Sequence, residues 1–209
     1  RVHCAPGHGP EDFIIGKRFG IEIFSPVDTS GKFTKEGGSY AGMNVRDSSQ
    51  RVISDLESSG ALVHKGQVRH RYPHCWRCKS QLIFIATNQW FIPITKLKEK
   101  MLSEIERCDW NPPFAKTRFR EFVSSAPDWC ISRQRYWGIP LPIWKCHSCQ
   151  HTKVIGSKDE LSHAVQELHR PWIDSVKFKC EKCGSSMHRI QDVLDVWFDS
   201  GNAVWAQLN

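Results

Sequence analysis

Cys146-His147-Ser148-Cys149 and Cys180-Glu181-Lys182-Cys183 are two Cys-x-x-Cys pairs separated by thirty residues. Each tight pair can offer two sulfurs to one ion, and four thiolates are the donor set of a tetrahedral structural zinc. The spacing between the pairs exceeds that of an ordinary ribbon. It contains a helix signal of its own: Ser157 and Glu160 stand in capping-box register, followed by Leu161, Ala164, Val165 and Leu168 on one helical face. The pattern predicts a zinc ribbon with Cys146, Cys149, Cys180 and Cys183 as ligands and a helical excursion between its halves. The ribbon is entered from Asp128-Trp129-Cys130-Ile131-Ser132-Arg133-Gln134-Arg135-Tyr136-Trp137-Gly138 and left through Asp195-Val196-Trp197-Phe198-Asp199-Ser200-Gly201.

Outward from the ribbon, the 209 residues are enough for one large or two small domains, with ordinary hydrophobic content. Six of the nine cysteines fall in three Cys-x-x-Cys pairs. The count is odd and the spacing tight, which favours metal in a reducing compartment over a disulfide scaffold. The formal charge of +7, with basic residues spread along the chain, suits a polyanionic partner. No apolar run is long enough for a membrane helix and no leader precedes the first segment, so a cytoplasmic protein, or one of an organelle matrix, is expected. The chain begins at Arg1 inside an apolar segment, as a piece of a longer protein would.

The first seventy or so residues predict a compact α/β unit. A glycine-rich turn, Ala5-Pro6-Gly7-His8-Gly9, leads into a short helix from Pro10 that stops at Gly20. Proline in the first turn and the carboxylates of Glu11 and Asp12 suit its positive end. Ile21 to Val27 predicts a strand, Asp28 to Gly42 a loop or hairpin, and Asp47 the cap of a helix bearing Val52, Ile53 and Leu56 that ends at Gly60. Ala61 to Arg71 is extended and basic. Composition changes at Tyr72-Pro73-His74. Leu82 to Ala86 predicts a buried strand, Ile94, Leu97, Met101, Leu102 and Ile105 one face of a helix, and Pro113 to Val123 a second helix. Val193 to Phe198 is a short strand rich in β-branched and aromatic residues.

Several stretches admit two readings. In His3-Cys4-Ala5-Pro6-Gly7-His8-Gly9-Pro10-Glu11-Asp12 the glycines allow close approach to a ligand, the imidazoles can hydrogen-bond it, and Asp12 can hold an ammonium group; the same string is also an ordinary turn before a helix. Cys75-Trp76-Arg77-Cys78 is half a metal site or a redox dithiol. Cys4, Cys108 and Cys130 carry no spacing signal. Trp129, Tyr136, Trp137, Trp144, Trp197 and Trp205 supply aromatic surface near Arg133 and Arg135; core and helix packing accounts for several of them, while Trp197 also sits near the end of a predicted strand, where open α/β sheets bind ligands.

In the order His3 to Asp12, Pro73-His74-Cys75-Trp76-Arg77-Cys78, Asp128 to Gly138, two cysteine knuckles and Asp195 to Gly201, the chain resembles the isoleucyl-tRNA synthetases, class I aminoacyl-tRNA synthetases, over essentially its whole length. The resemblance implies an α/β fold: residues 1–71 as the C-terminal part of a CP1-type editing domain, 72–145 as the return into the Rossmann catalytic domain, 146–190 as the zinc ribbon, and 191–209 as a catalytic-domain strand with the start of the next element. It implies that Asp12 anchors the amino group of a mischarged aminoacyl end and that His3 helps the editing pocket choose valine. Trp197 then lines the isoleucine pocket, while Cys75 and Cys78 are half of a second zinc site. Zinc, ATP, isoleucine and tRNA(Ile) are the implied cofactor and partners, with no membrane and a monomeric state. The His-Ile-Gly-His and Lys-Met-Ser-Lys-Ser elements that bind ATP in this class are not found, nor is a threonine-rich editing strand, so aminoacylation by this chain alone is not expected. A zinc-ribbon nucleic-acid-binding module without catalysis, or an editing hydrolase acting in trans, are the alternative functions.

Overall fold

The computed structural model describes residues 2–161, 165 and 167–208. It divides into two compact units, Arg1–Asn88 and Gln89–Asn209.

In the first unit, α1 (Pro10–Phe19) runs from Pro10 in its first turn, with Glu11 and Asp12 near its positive end and Lys17 and Arg18 in its last turn, and stops at Gly20 as the sequence predicts. The turn before it packs backbone against backbone. A Cβ on Gly7 would overlap the carbonyl oxygen of Phe24, so only glycine lets these two backbones meet. The predicted strand Ile21–Val27 reduces to a single antiparallel bridge, Val27 to Phe33. Pro26 has no N–H to extend a ladder, and Ile21 and Phe24 remain exposed. A 3-10 turn, Lys35–Tyr40, follows. The N-cap position of helix α2 (Ser49–Ser58) is Ser48 and not Asp47, and no side chain caps it; the Ser48 hydroxyl donates back to the carbonyl of Val45 at 2.9 Å instead. Leu82 to Ala86 is not a buried strand: Leu82, Ile83 and Phe84 are exposed. Their apolar run forms no ladder here, because the Phe84 carbonyl receives the His8 Nδ1–H at 2.9 Å and the Ala86 N–H goes to the carbonyl of Gly7.

In the second unit, β1 (Phe91–Ile92) leads into α3 (Ile94–Arg107) and α4 (Phe114–Ser125). The helices pack antiparallel around Ile105 and Val123, with Lys98 bonded to the carbonyl of Ser124 and Glu106 paired with Lys116 and Arg120. Strand β2 (Trp129–Cys130) pairs with β1, and β3 (Ser132–Arg133) pairs with β8 (Val193–Leu194). Between them, β4 (Ile143–Cys146), β5 (Thr152–Val154), β6 (Lys177–Lys179) and β7 (Ser186–Arg189) form an antiparallel sheet in the order β5-β4-β7-β6. Trp144, Cys146, Ile155, Ile173, Cys180 and Met187 make its buried core, with Leu161, Val165, Leu168, Val176 and Phe178 packed against it.

Two expectations change in this unit. The capping box at Ser157 and Glu160 forms, but it opens a 3-10 turn, Lys158–Glu160, after which Leu161 is extended; Ala164 lies outside the described residues. The strand Val193–Phe198 stops after Leu194, because the Asp195 carboxylate accepts the Trp197 N–H and starts α5 (Val196–Ala206). Every strand pair among the described residues is antiparallel.

Candidate metal centre

The two cysteine pairs sit at turns at the same end of the sheet, and their backbones close in the same way. The Cys146 N–H donates to the His151 carbonyl and the Gln150 N–H to the Cys146 carbonyl; in the second turn the Cys180 N–H donates to Ser185 and the Gly184 N–H to Cys180. Gln150 and Gly184 take the left-handed conformation these turns require, with φ of 60° and 71°. The result gathers Cys146, Cys149, Cys180 and Cys183, whose sulfurs all lie within 4.8 Å of one another. The Cys146–Cys183 and Cys149–Cys180 sulfur pairs are each 3.5 Å apart. Sulfurs about 2.3 Å from a tetrahedral zinc are about 3.8 Å from each other, so the donor set and its spacing fit that ion.

The electrostatics favour a cation. The Cys183 thiol is drawn down to about 6, first by the hydroxyl and amide of Ser185 and then by the sulfurs of Cys146 and Cys149. Cys149 is pushed up to about 12: the His151 amide favours its thiolate, but desolvation and the sulfurs of Cys180, Cys183 and Cys146 outweigh it. Four thiolates this close repel one another, and a divalent ion removes that repulsion.

Cys75-Trp76-Arg77-Cys78 closes as a third turn of the same form. The Cys75 N–H donates to the Ser80 carbonyl, the Lys79 N–H to the Cys75 carbonyl, and Lys79 has a φ of 61°. Cys78 is drawn down to about 7, first by Ser80 and then by Cys75. Among the described residues no further donor completes a set of three or more with this pair.

The ribbon is tied to the segment that enters it by a charged network that the spacing of motifs does not reveal. Asp174 accepts from Arg189 Nε at 2.7 Å and Nη2 at 2.5 Å on one oxygen and from Arg170 Nε at 2.8 Å on the other. Arg189 Nη1 also donates to the carbonyls of Leu141 and Asp192. Arg170 lies 4.8 Å over the Tyr136 ring, and His169 stacks on Trp137 at 5.2 Å.

Asp195 organises the exit. Its buried carboxylate accepts from the Trp129 indole at 3.2 Å and from Arg133 Nη2 at 2.5 Å, besides capping α5. Against the cost of desolvation, these donors hold its pKa below the usual carboxylate value. Ser132, also buried, donates to Gln89 Oε1 at 2.6 Å and accepts the Trp90 N–H at 2.9 Å. Trp197, in the first turn of α5, is 70% exposed, while Phe198 faces Trp129 at 6.2 Å. In the first unit, Asp12 Oδ2 accepts the Ala5 N–H at 2.9 Å, which folds the helix start back over the turn; His3 is exposed. The nearby Cys4 thiol is raised, by desolvation first and then by the Asp12 carboxylate.

Comparison with known proteins places the chain. Residues 27–209 match the family of tRNA synthetases class I (I, L, M and V). The chain is similar to proteins named isoleucine--tRNA ligase from Methanopyrus kandleri (53% identity over 99% of this chain and 20% of that protein), Methanothermobacter thermautotrophicus (51%, 100% and 21%) and Saccharolobus solfataricus (52%, 99% and 22%). It thus spans about a fifth of the length of these relatives.

Proposed function

Because this chain belongs to the class I tRNA synthetases (I, L, M and V), we propose that it is part of an isoleucine--tRNA ligase, joining part of an editing domain to part of a Rossmann catalytic domain. The observation that carries this is identity of 51–53% to isoleucine--tRNA ligases across essentially the whole chain. A free zinc-ribbon module or a separate hydrolase would share only its own part of that match. The parent protein activates isoleucine with ATP, charges tRNA(Ile) and hydrolyses valyl-tRNA(Ile).

Editing follows from a physical limit. One methylene is worth only about 1–3 kcal/mol in an apolar pocket, a figure for which this enzyme is itself the standard example, so a second site must remove the smaller product. In that site Asp12 anchors the substrate ammonium group. Its tie to the Ala5 N–H fixes the carboxylate, and a fixed carboxylate holds a cation with less loss of side-chain freedom. His3, two residues before Ala5, lines the same site, and the exposed Trp197 face lines the isoleucine pocket.

Cys146, Cys149, Cys180 and Cys183 hold zinc, with Cys75 and Cys78 supplying half of a second site. Sulfur fills every position of the first, so the ion would cross-link the two turns and leave no open place for substrate. The test is hydrolysis of valyl-tRNA(Ile) by the full-length protein and its Asp12→Ala variant, with isoleucine-dependent ATP–pyrophosphate exchange alongside. Deacylation lost with exchange retained supports the assignment. Equal deacylation by both proteins removes Asp12 from the site, and absence of isoleucine-dependent exchange in the unaltered protein refutes the ligase.

A further inference from the structure

Between Glu57 and Glu99 the sequence has no carboxylate and seven Lys or Arg residues. The other twenty-two Lys and Arg are matched by twenty-two Asp and Glu, so the whole net charge of +7 resides in this one stretch. Five of the seven, Lys65, Arg69, Arg71, Arg77 and Lys79, lie in the first unit. There residues 63–74 are all exposed, and 63–72 form no backbone–backbone hydrogen bond among the described residues. Lys65 is paired with Glu57, whereas Arg69 and Arg71 have no ion-pair partner among the described residues.

Side chains of an extended chain alternate between its two sides. That sets Arg69 and Arg71 on one side and His70, Tyr72 and His74 on the other. The rings form a ladder accordingly, His70 to Tyr72 at 5.8 Å and Tyr72 to His74 at 6.4 Å. Trp76 continues the aromatic series at 74% exposure, with the Arg77 guanidinium 4.9 Å from its ring centroid. Cations interleaved with exposed rings, along an open stretch that runs into the Cys75–Cys78 turn, match a polyanion whose repeating unit also carries a flat face. A duplex keeps its bases stacked inside and would leave the ladder unused; an acidic peptide would answer the charges and not the rings.

We propose that residues 65–79 are a track for single-stranded RNA, with Arg69 and Arg71 on the phosphates and Tyr72 and Trp76 stacking bases. This deepens the tRNA reading above and rests on it: the strand is the unpaired 3′ end of the tRNA.

The test is fluorescence anisotropy of the full-length protein with a short unstructured RNA, a duplex RNA of equal length and a whole tRNA transcript, each across a salt series. The single strand should bind more tightly than the duplex. Replacing Arg69 and Arg71 together by alanine should reduce the slope of log K against log salt by about 1.4, at about 0.7 for each phosphate of a single strand that is no longer neutralised. Tyr72→Ala should weaken binding about fivefold or more at fixed salt. Tyr72→Phe, which gives up the hydroxyl's 3.0 Å bond to the Leu82 carbonyl but keeps the ring, should bind as the unaltered protein does. A slope unchanged by the double substitution, or equal weakening in Tyr72→Ala and Tyr72→Phe, overturns the track. If the tRNA transcript still binds in that case, the tRNA reading stands and the path lies elsewhere; if no RNA binds at all, both fall.

Discussion

Asp174→Ala should loosen the ribbon far more than the removal of any of its surface ion pairs. The Arg189 side chain is 0% exposed and directs two donors at Asp174, whose own side chain is 30% exposed. Breaking a buried pair by deleting one partner costs about 3–5 kcal/mol, because the remaining charge is left in a poor solvent. Two features move the estimate to the lower end. Arg189 Nη1 keeps the Leu141 and Asp192 carbonyls, and water reaches the space vacated at Asp174. The expected loss is therefore about 3 kcal/mol. In hydrogen exchange governed by local opening, that raises exchange of the β4 and β7 amides roughly a hundredfold. Lys153→Ala is the comparison: its pair with Glu181 spans the same sheet but is one-third and two-thirds exposed, so less than about 1 kcal/mol and under about fivefold are expected. Mass spectrometry of peptides covering Ile143–Cys146 and Ser186–Arg189, on zinc-loaded protein, reads both. Similar exchange in the two variants would refute the claim that Asp174 holds the buried guanidinium in place.

Gly7→Ala should destabilise the first unit by more than about 2 kcal/mol, since a Cβ that overlaps a backbone oxygen can be relieved only by moving the chain; faster exchange across α1 measures it. Acid should weaken the β3–β8 region. The pKa of Asp195 is held down in the folded state, so its contribution is complete above the unfolded carboxylate value of about 4 and is lost as pH falls through the lower folded value. In Asp195→Asn that part of the acid dependence of unfolding should vanish.

What could be read from residue order was whatever local chemistry decides. Pro10 with Glu11 and Asp12 marked the start of α1, and the spacing of Ile94, Leu97, Met101 and Ile105 marked α3, because a helix satisfies its hydrogen bonds within itself. The four-cysteine cluster was legible for a similar reason, each tight turn being a local structure. Ile21–Val27 and Leu82–Ala86 carry strand patterns yet form no strand, because a strand exists only with a neighbour, and the pattern of one segment does not name its partner. At Asp195 two signals competed: the β-branched and aromatic residues favoured a strand, while the carboxylate before Val196-Trp197-Phe198 was a helix cap and prevailed. The Arg170–Asp174–Arg189 network was hidden because Arg189 reaches Asp174 only after the sheet has formed.

The most direct test of the metal centre is zinc X-ray absorption on this chain's Cys75→Ser/Cys78→Ser variant, where the ribbon's four cysteines are the only Cys-x-x-Cys sulfurs left in the 209-residue sequence. One zinc per chain with four sulfurs at about 2.3 Å, lost on the further change Cys180→Ser, is the expected result. Nitrogen or oxygen ligands in place of sulfur, or a metal-free ribbon with its cysteines joined as disulfides, would contradict it.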